Sequence, residues 1–365
     1  MFLRNCWYMV GWSTDIPAAR LTPLSVLDEP LVAYRKRDGG LAVLEDLCCH
    51  RLAPLSLGRQ ENDDVRCMYH GLKFAPDGRC VEIPGQARVA AAVKVRSYPV
   101  AERHGAAWVW MGTPEKADPA LIPPIVGPDD PDWALVCSSM DIEAHASLVW
   151  DNLLDLSHAP FVHANTFGGG DAQAFASLLE GETTADTTVF ERGVHVERWH
   201  VNRPSNPYLG KMLTDDLAVN DFIAPGVFIL KTRCYAAGVR QRSAERIPSE
   251  EPLLARQTSQ MITPLTERKT RLFFDFGPWA KAAEHRDKFF PVAQRAFLED
   301  KLFIERQQQM MDRMPERRVM PLAMDVPIVR FHEIMKRLLA EDRTAQSPAP
   351  KGAPKVEAAT AGSSA

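Results

Sequence analysis

The stretch "CCHRLAPLSLGRQENDDVRCMYHGLKF", from Cys48 to Phe74, carries two Cys-His pairs. One residue separates Cys48 from His50, two separate Cys67 from His70, and sixteen lie between His50 and Cys67. Four soft or borderline ligands in two clumps imply a bound metal, and any fold must bring the two clumps to one point. A Cys₂His₂ zinc shell is the simplest reading, but zinc fingers usually place both cysteines in one clump and both histidines in the other. Here each clump holds one of each. That alternation suits a [2Fe–2S] cluster in which two cysteines hold one iron and two histidines the other. Cys48 is the expected ligand rather than Cys49, because only Cys48 stands two before His50.

The surrounding chain reads as short strands between turn signals. "LVAYRKRDGGLAVLED" predicts a hairpin around Asp38-Gly39-Gly40, "LKFAPDGRCVEIPG" another around Pro76-Asp77-Gly78, and "GAAWVWMG" closes the series. Each Cys-His pair is expected at the tip of a hairpin-like segment, with Gly71 allowing close backbone approach to the cluster. A proline-rich stretch follows, so the expected organisation is a β-rich domain over 1–112 and a connector over 113–132. A larger domain over 133–343 comes next, then a disordered Pro/Ala/Gly/Ser tail over 344–365. The larger domain mixes strands such as "VFILKTRCYAAGV" and "TRLFFDFG" with two helical signals, near Leu148–Ser157 and Asp287–Arg313. Near-balanced charge, 43 Lys+Arg against 47 Asp+Glu, gives no reason to expect nucleic acid or an anionic membrane as partner. No apolar run reaches the ~18–20 residues of a membrane span. Seven irregularly spaced cysteines make a poor disulfide framework, so a reducing, cytoplasmic setting is expected.

A second constellation lies in "WDNLLDLSHAPFVH". On a continuous helix Asp151, Asp155 and His158 share a face, while His163 would point about 140° away from His158. Pro160 lies between the histidines and is expected to break the helix there, swinging His163 back. Two imidazoles meeting at a helix end make two-thirds of a 2-His-1-carboxylate iron site. The carboxylate is expected from "RAFLEDKLFIERQQQMM", where Asp300 falls on the apolar stripe with Ala293 and Phe297 while Glu299 and Glu305 face elsewhere. A carboxylate on that side is costly unless paired or metal-bound. Asp155, one turn before His158, could accept the Nδ1–H of that ligand through its carboxylate.

"CCHR…CMYHGLKF", the opening "MFLRNCWYMVGW", "VEIPGQ" and "DNLLDLSH" together resemble the terminal oxygenases of the Rieske non-haem iron family. Within it they are most similar to the vanillate O-demethylase, toluenesulfonate methyl-monooxygenase and dicamba O-demethylase group. The resemblance implies an α+β protein: an N-terminal β-rich Rieske [2Fe–2S] domain and a C-terminal helix-grip catalytic domain, an antiparallel sheet wrapped against helices. It implies one Rieske cluster on Cys48, His50, Cys67 and His70 and one mononuclear Fe(II) on His158, His163 and Asp300. It also implies a separate NAD(P)H-dependent flavin/iron–sulfur reductase, or a reductase plus ferredoxin. The expected assembly is a homotrimer in which Asp155 bridges to His70 of the adjacent chain. The implied reaction uses O₂ to hydroxylate or O-demethylate a small aromatic compound, with an aromatic acid expected. Cis-dihydroxylation, N-demethylation and a Rieske electron carrier are the alternatives. Respiratory Rieske proteins tie their loops with a disulfide; here the corresponding places hold Ala53 and Tyr69, so a low-potential cluster is expected. Gln260 and Phe274 are candidate pocket residues.

Overall fold

Strands with period-two patterning dominate both halves of the chain, in a computed structural model that describes residues 2–166, 182–204, 209 and 212–346. The N-terminal half holds three antiparallel sheets. Cys6–Trp12 pairs with Ala106–Met111, which pairs with Val100–Arg103; Thr22–Val26, Glu29–Arg35 and Leu41–Glu45 form the second. The third runs Arg59–Glu61, Asp64–Arg66, Lys73–Phe74, Cys80–Glu82. Both expected hairpins form: Arg35 pairs with Leu41 and Phe74 with Cys80, and Gly39 (φ +85°) and Gly78 (φ +84°) supply the left-handed residues their turns need.

The C-terminal half is one seven-stranded antiparallel sheet. Its order is Val136–Ile142, Lys269–Pro278, Leu254–Thr266, Val227–Ala236, Leu213–Ile223, Gly193–Pro204, Glu182–Phe190. Alternation along these strands gives the sheet two apolar faces. One face, with Phe222, Phe228, Ile262 and Phe274, packs against Phe297 of helix Arg286–Arg313 and Phe331 of helix Val326–Gln346. The other, with Val227, Ile229, Met261 and Phe273, packs against Trp7, Trp12, Trp108 and Trp110 of the N-terminal half. Ile122 and Ile125 of the proline-rich stretch enter that same cluster. Burying a large apolar side chain stabilises by about 1.5–3 kcal/mol, so four tryptophans join the two halves firmly. The large sheet is thereby sandwiched, with the helices on its far side.

The helices differ from expectation in three places. The first runs Ala146–Leu154 and stops before Asp155, whose φ −105° and ψ 95° are extended. Ala159 is helical (φ −52°, ψ −42°), and Pro160 sits in the first turn of a short helix, Ala159–Val162, where its missing N–H costs nothing. The break that the sequence suggested at Pro160 therefore falls earlier, at Asp155. The last helix, Val326–Gln346, enters the segment expected to be disordered; the remainder of that tail lies outside the described residues. Among the described residues no helix is long and apolar enough to cross a membrane.

Candidate active site

The two Cys-His loops have the same backbone. Cys48 N–H donates to Ala53 O (2.8 Å) and Leu52 N–H to Cys48 O (2.9 Å); Cys67 N–H donates to Leu72 O (2.8 Å) and Gly71 N–H to Cys67 O (2.9 Å). Leu52 (φ +56°) and Gly71 (φ +79°) hold the matching left-handed positions. The sulfurs of Cys48 and Cys67 are buried in a cluster with Tyr34, Leu44, Leu55, Val65 and Phe74. The imidazoles of His50 and His70 stand exposed above them, with ring centroids 4.5 Å apart. Two buried thiols below and two paired imidazoles above is the donor set a [2Fe–2S] Rieske centre needs. Burial pushes the Cys48 thiol up to about 11.

Two expectations about these loops change. Only the second loop is a hairpin tip, between Arg66 and Lys73; the first connects two different sheets. A Cβ on Gly71 would meet Pro84 Cγ at 2.7 Å, so its small size serves packing against Pro84 and its positive φ. All seven cysteines are free. Arg66, which the sequence did not single out, holds the second loop. Its guanidinium donates to Gly71 O (2.7 Å) and reaches Glu61 (2.7 Å) and Glu82 (2.9 Å).

His158, His163 and Asp300 come together, each offering a ligand atom within 4.8 Å of the others. Asp300 Oδ1 lies 3.3 Å from Nε2 of both histidines. The early helix end delivers this geometry: a 3₁₀ turn, Leu156–His158, and the short helix place His163 at its C-cap. Asp300 is buried with Ala293 and Phe297, as the apolar stripe implied. Burial alone would raise its pKa, but hydrogen bonds and charge from His158 and His163 hold it down at about 2. Burial likewise pulls His163 down, yet Asp300 and Glu299 outweigh it and raise its pKa.

The unligated ring nitrogens are fixed from behind. His158 Nδ1 faces the main-chain oxygen of Asp155. His163 Nδ1 lies 3.0 Å from Glu299 Oε2, which also accepts Thr166 Oγ1–H at 2.8 Å. Asn152 Nδ2–H donates to Asp300 Oδ1 at 3.1 Å. With both Nδ1 atoms so engaged, both Nε2 atoms turn toward Asp300, an orientation that suits metal ligation. Three corrections follow. Glu299 faces the site after all, and its place beside Asp300 was the available signal. The Asp155 carboxylate does not take the His158 proton: Asp155 is extended, so its peptide oxygen meets the ring while Oδ1 accepts Ser157 N–H at 2.8 Å. Asp151, expected on that same face, instead pairs with His332 at 2.6 Å.

Gln260 and Phe274 are paired across adjacent strands on the helix-facing side of the sheet. Phe274 is buried between Phe297 (ring centroids 4.5 Å apart) and Phe290 (6.3 Å, stacked), building an aromatic wall below the helix that carries Asp300. Three donors converging from two segments and a cluster-type loop pair in the other half are the parts of a two-centre redox protein.

Comparisons with known proteins agree with this geometry. Residues 6–99 match the family model described as Rieske [2Fe-2S] domain, and residues 142–341 match Vanillate O-demethylase oxygenase C-terminal domain. The chain is 34% identical to the toluene-4-sulfonate monooxygenase system iron–sulfur subunit of Comamonas testosteroni, covering 95% of this chain and 100% of that one. It is 30% identical to a vanillate O-demethylase oxygenase subunit of a Pseudomonas species, covering 94% and 97%. Among solved structures, dicamba monooxygenase bound to 3,6-dichlorosalicylic acid superposes with a TM-score of 0.81 at 25% identity, over 95% of this chain and 99% of that one. Another structure of that enzyme contains a non-haem iron.

Proposed function

Because the chain belongs to the Rieske non-haem iron oxygenases, as a terminal oxygenase with one [2Fe–2S] cluster and one mononuclear Fe(II), we propose that it hydroxylates or O-demethylates a small aromatic acid. The observation that carries the ligand assignment is the meeting of His158, His163 and Asp300 within 4.8 Å. In this reading Cys48, His50, Cys67 and His70 hold the cluster. When bound, the cluster supplies single electrons and the open-sided Fe(II) activates O₂ beside the substrate.

The chain's own groups do the rest. The Asp155 carbonyl and Glu299 hold the Nδ1 protons of His158 and His163, which keeps both Nε2 lone pairs available. Asp300 contributes one negative charge, and Asn152 fixes its rotamer. Phe274, Phe290 and Phe297 pack on one another beneath the helix that carries Asp300 and keep water from its buried side.

Electrons come from a separate NAD(P)H-dependent flavin/iron–sulfur reductase, alone or with a ferredoxin, in the cytoplasm. Assembly is a homotrimer, head to tail, so that the Asp155 carboxylate bridges to His70 of the adjacent chain. Two exposed apolar surfaces support this arrangement. Leu52, Leu57, Met68 and Tyr69 surround the cluster histidines, while Phe161, Leu298, Leu302 and Phe303 flank the iron-side segments. A turnover screen of methoxy- and methyl-substituted aromatic acids with a surrogate reductase tests the proposal. Formaldehyde or a hydroxylated acid is expected, and purified chain with NADH alone should be inert. Product only from unsubstituted rings, as cis-diols, would contradict it.

A further inference from the structure

On the helix-facing side of the large sheet, strand register sets out cross-strand rows. The first row, Val194, Phe222, Phe228, Gln260, Phe274, is buried throughout, and every member but Gln260 is apolar. Two residues further along each strand comes Val196, Asn220, Leu230, Thr258, Phe276. The next row is Arg198 opposite Ala218, Ala218 opposite Thr232, and Thr232 opposite Arg256. Two guanidiniums thus stand three strand spacings apart, about 14 Å at the backbone. Only the small Ala218 and Thr232 lie between them in the row.

Neither guanidinium has a hydrogen bond or ion pair among the described residues, although both arginines are half-buried. That is an unusual state for a charge, which is ordinarily paired when it leaves water. Burial lowers the pKa of Arg198, and the charge of Asp155 is what opposes it. The nearby carboxylate of Asp216 is already committed to Arg203 at 2.8 Å. His200, the next residue on the face, adds no positive charge near neutral pH: burial, then Arg203 and Arg198, hold its imidazole down to about 4. Asn220, 2% exposed and diagonal to Arg198, has an Nδ2 with no hydrogen-bond partner. The row thus carries two guanidiniums and an amide N–H that make no hydrogen bond; the charge of Asp155 bears on Arg198, and Asp216 keeps one carboxylate oxygen without a hydrogen bond.

Resting on the aromatic-oxygenase reading above, we propose that Arg198 and Arg256, with Asn220 beside them, form the anion subsite of the catalytic cavity. They hold the carboxylate or sulfonate of the substrate. Planar guanidiniums match such groups bidentately. The two arginines are specificity-determining residues and take no part in the oxidation.

The test uses the holoenzyme and measures binding by titration calorimetry. Benzoate and 4-methylbenzenesulfonate are compared with their neutral isosteres, benzamide and 4-methylbenzenesulfonamide. The acids should bind wild type roughly tenfold or more tightly than the amides. Arg198→Gln and Arg256→Gln should each remove most of that preference and leave amide binding, iron content and the cluster EPR signal unchanged. Arg198→Lys should retain part of it. Equal binding of acid and amide to wild type, or acid binding indifferent to either glutamine variant, overturns the subsite. If acids are turned over in the screen while these variants leave their binding unaltered, the subsite falls and the aromatic-oxygenase reading stands. If no aromatic probe binds or reacts, both fall.

Discussion

Glu299 and His163 are joined at 3.0 Å, carboxylate to Nδ1, immediately behind the face that His163 turns toward Asp300. A carboxylate there fixes the imidazole tautomer and raises ligand basicity. Glu299→Leu is expected to weaken iron binding by roughly 10–100-fold without changing the cluster, whereas Glu299→Gln, which keeps an acceptor, should lose less. Iron retention during graded chelation, followed beside cluster absorbance, measures this.

Asp155 is neither a cluster nor an iron ligand in this account, and its side chain caps Ser157 while its main-chain oxygen orients His158. Asp155→Asn preserves the cap and the carbonyl but removes the charge. Both metals and the wild-type oligomeric state, whatever its order, should persist while cluster-to-iron electron transfer slows by roughly tenfold or more. Single-turnover kinetics from the reduced cluster read the rate, and a wild-type rate would remove the bridge.

Much of this site was legible in sequence because metal chemistry is local. C-x-H and C-x-x-H fix four donors by spacing alone, and Asp300 announced itself as a charge on an apolar stripe with Ala293 and Phe297. The route from His158 to His163 was not legible. Helical periodicity through Asp155 predicted one continuous face, but the Asp155 side chain competes for Ser157 N–H and ends the helix. Helix Val326–Gln346 was missed although Phe331, Ile334, Met335 and Leu338 keep an i, i+3, i+4, i+7 pattern. Its core contacts, Phe331 on Phe222 and Trp150, are long-range and leave no mark on neighbouring sequence.

Arg66 braces the second Cys-His loop against the strands on either side of it. It contacts Gly71 O, Glu61 and Glu82 at once, and the two arginine contacts hold each carboxylate's pKa down to about 2 together with Arg59 and Lys73. Arg66→Met should lower the temperature at which cluster absorbance is lost by roughly 2–4 °C. High salt should narrow the difference between the two proteins, because these groups are solvent-facing.

His332 on the last helix meets Asp151 on the first at 2.6 Å, and that hydrogen bond raises the His332 pKa against an opposing effect of burial. A group whose folded pKa lies above its unfolded value of about 6.5 stabilises fully below that value. The contribution is lost as pH rises through the folded pKa. The melting temperature should therefore fall as pH rises above about 6.5. His332→Gln should flatten that slope, and an unchanged slope would place its origin elsewhere.

The account stands on two separate metal centres, one held by the paired loops and one by His158, His163 and Asp300. Asp300→Ala addresses it most directly, through iron and acid-labile sulfide counted per chain together with the EPR spectrum of the dithionite-reduced protein. The account predicts three irons in wild type and two in the variant, with two sulfides and an unaltered rhombic cluster signal in both, and loss of product in the variant. Three irons and continued turnover in Asp300→Ala, or a cluster signal lost along with the third iron, would contradict it.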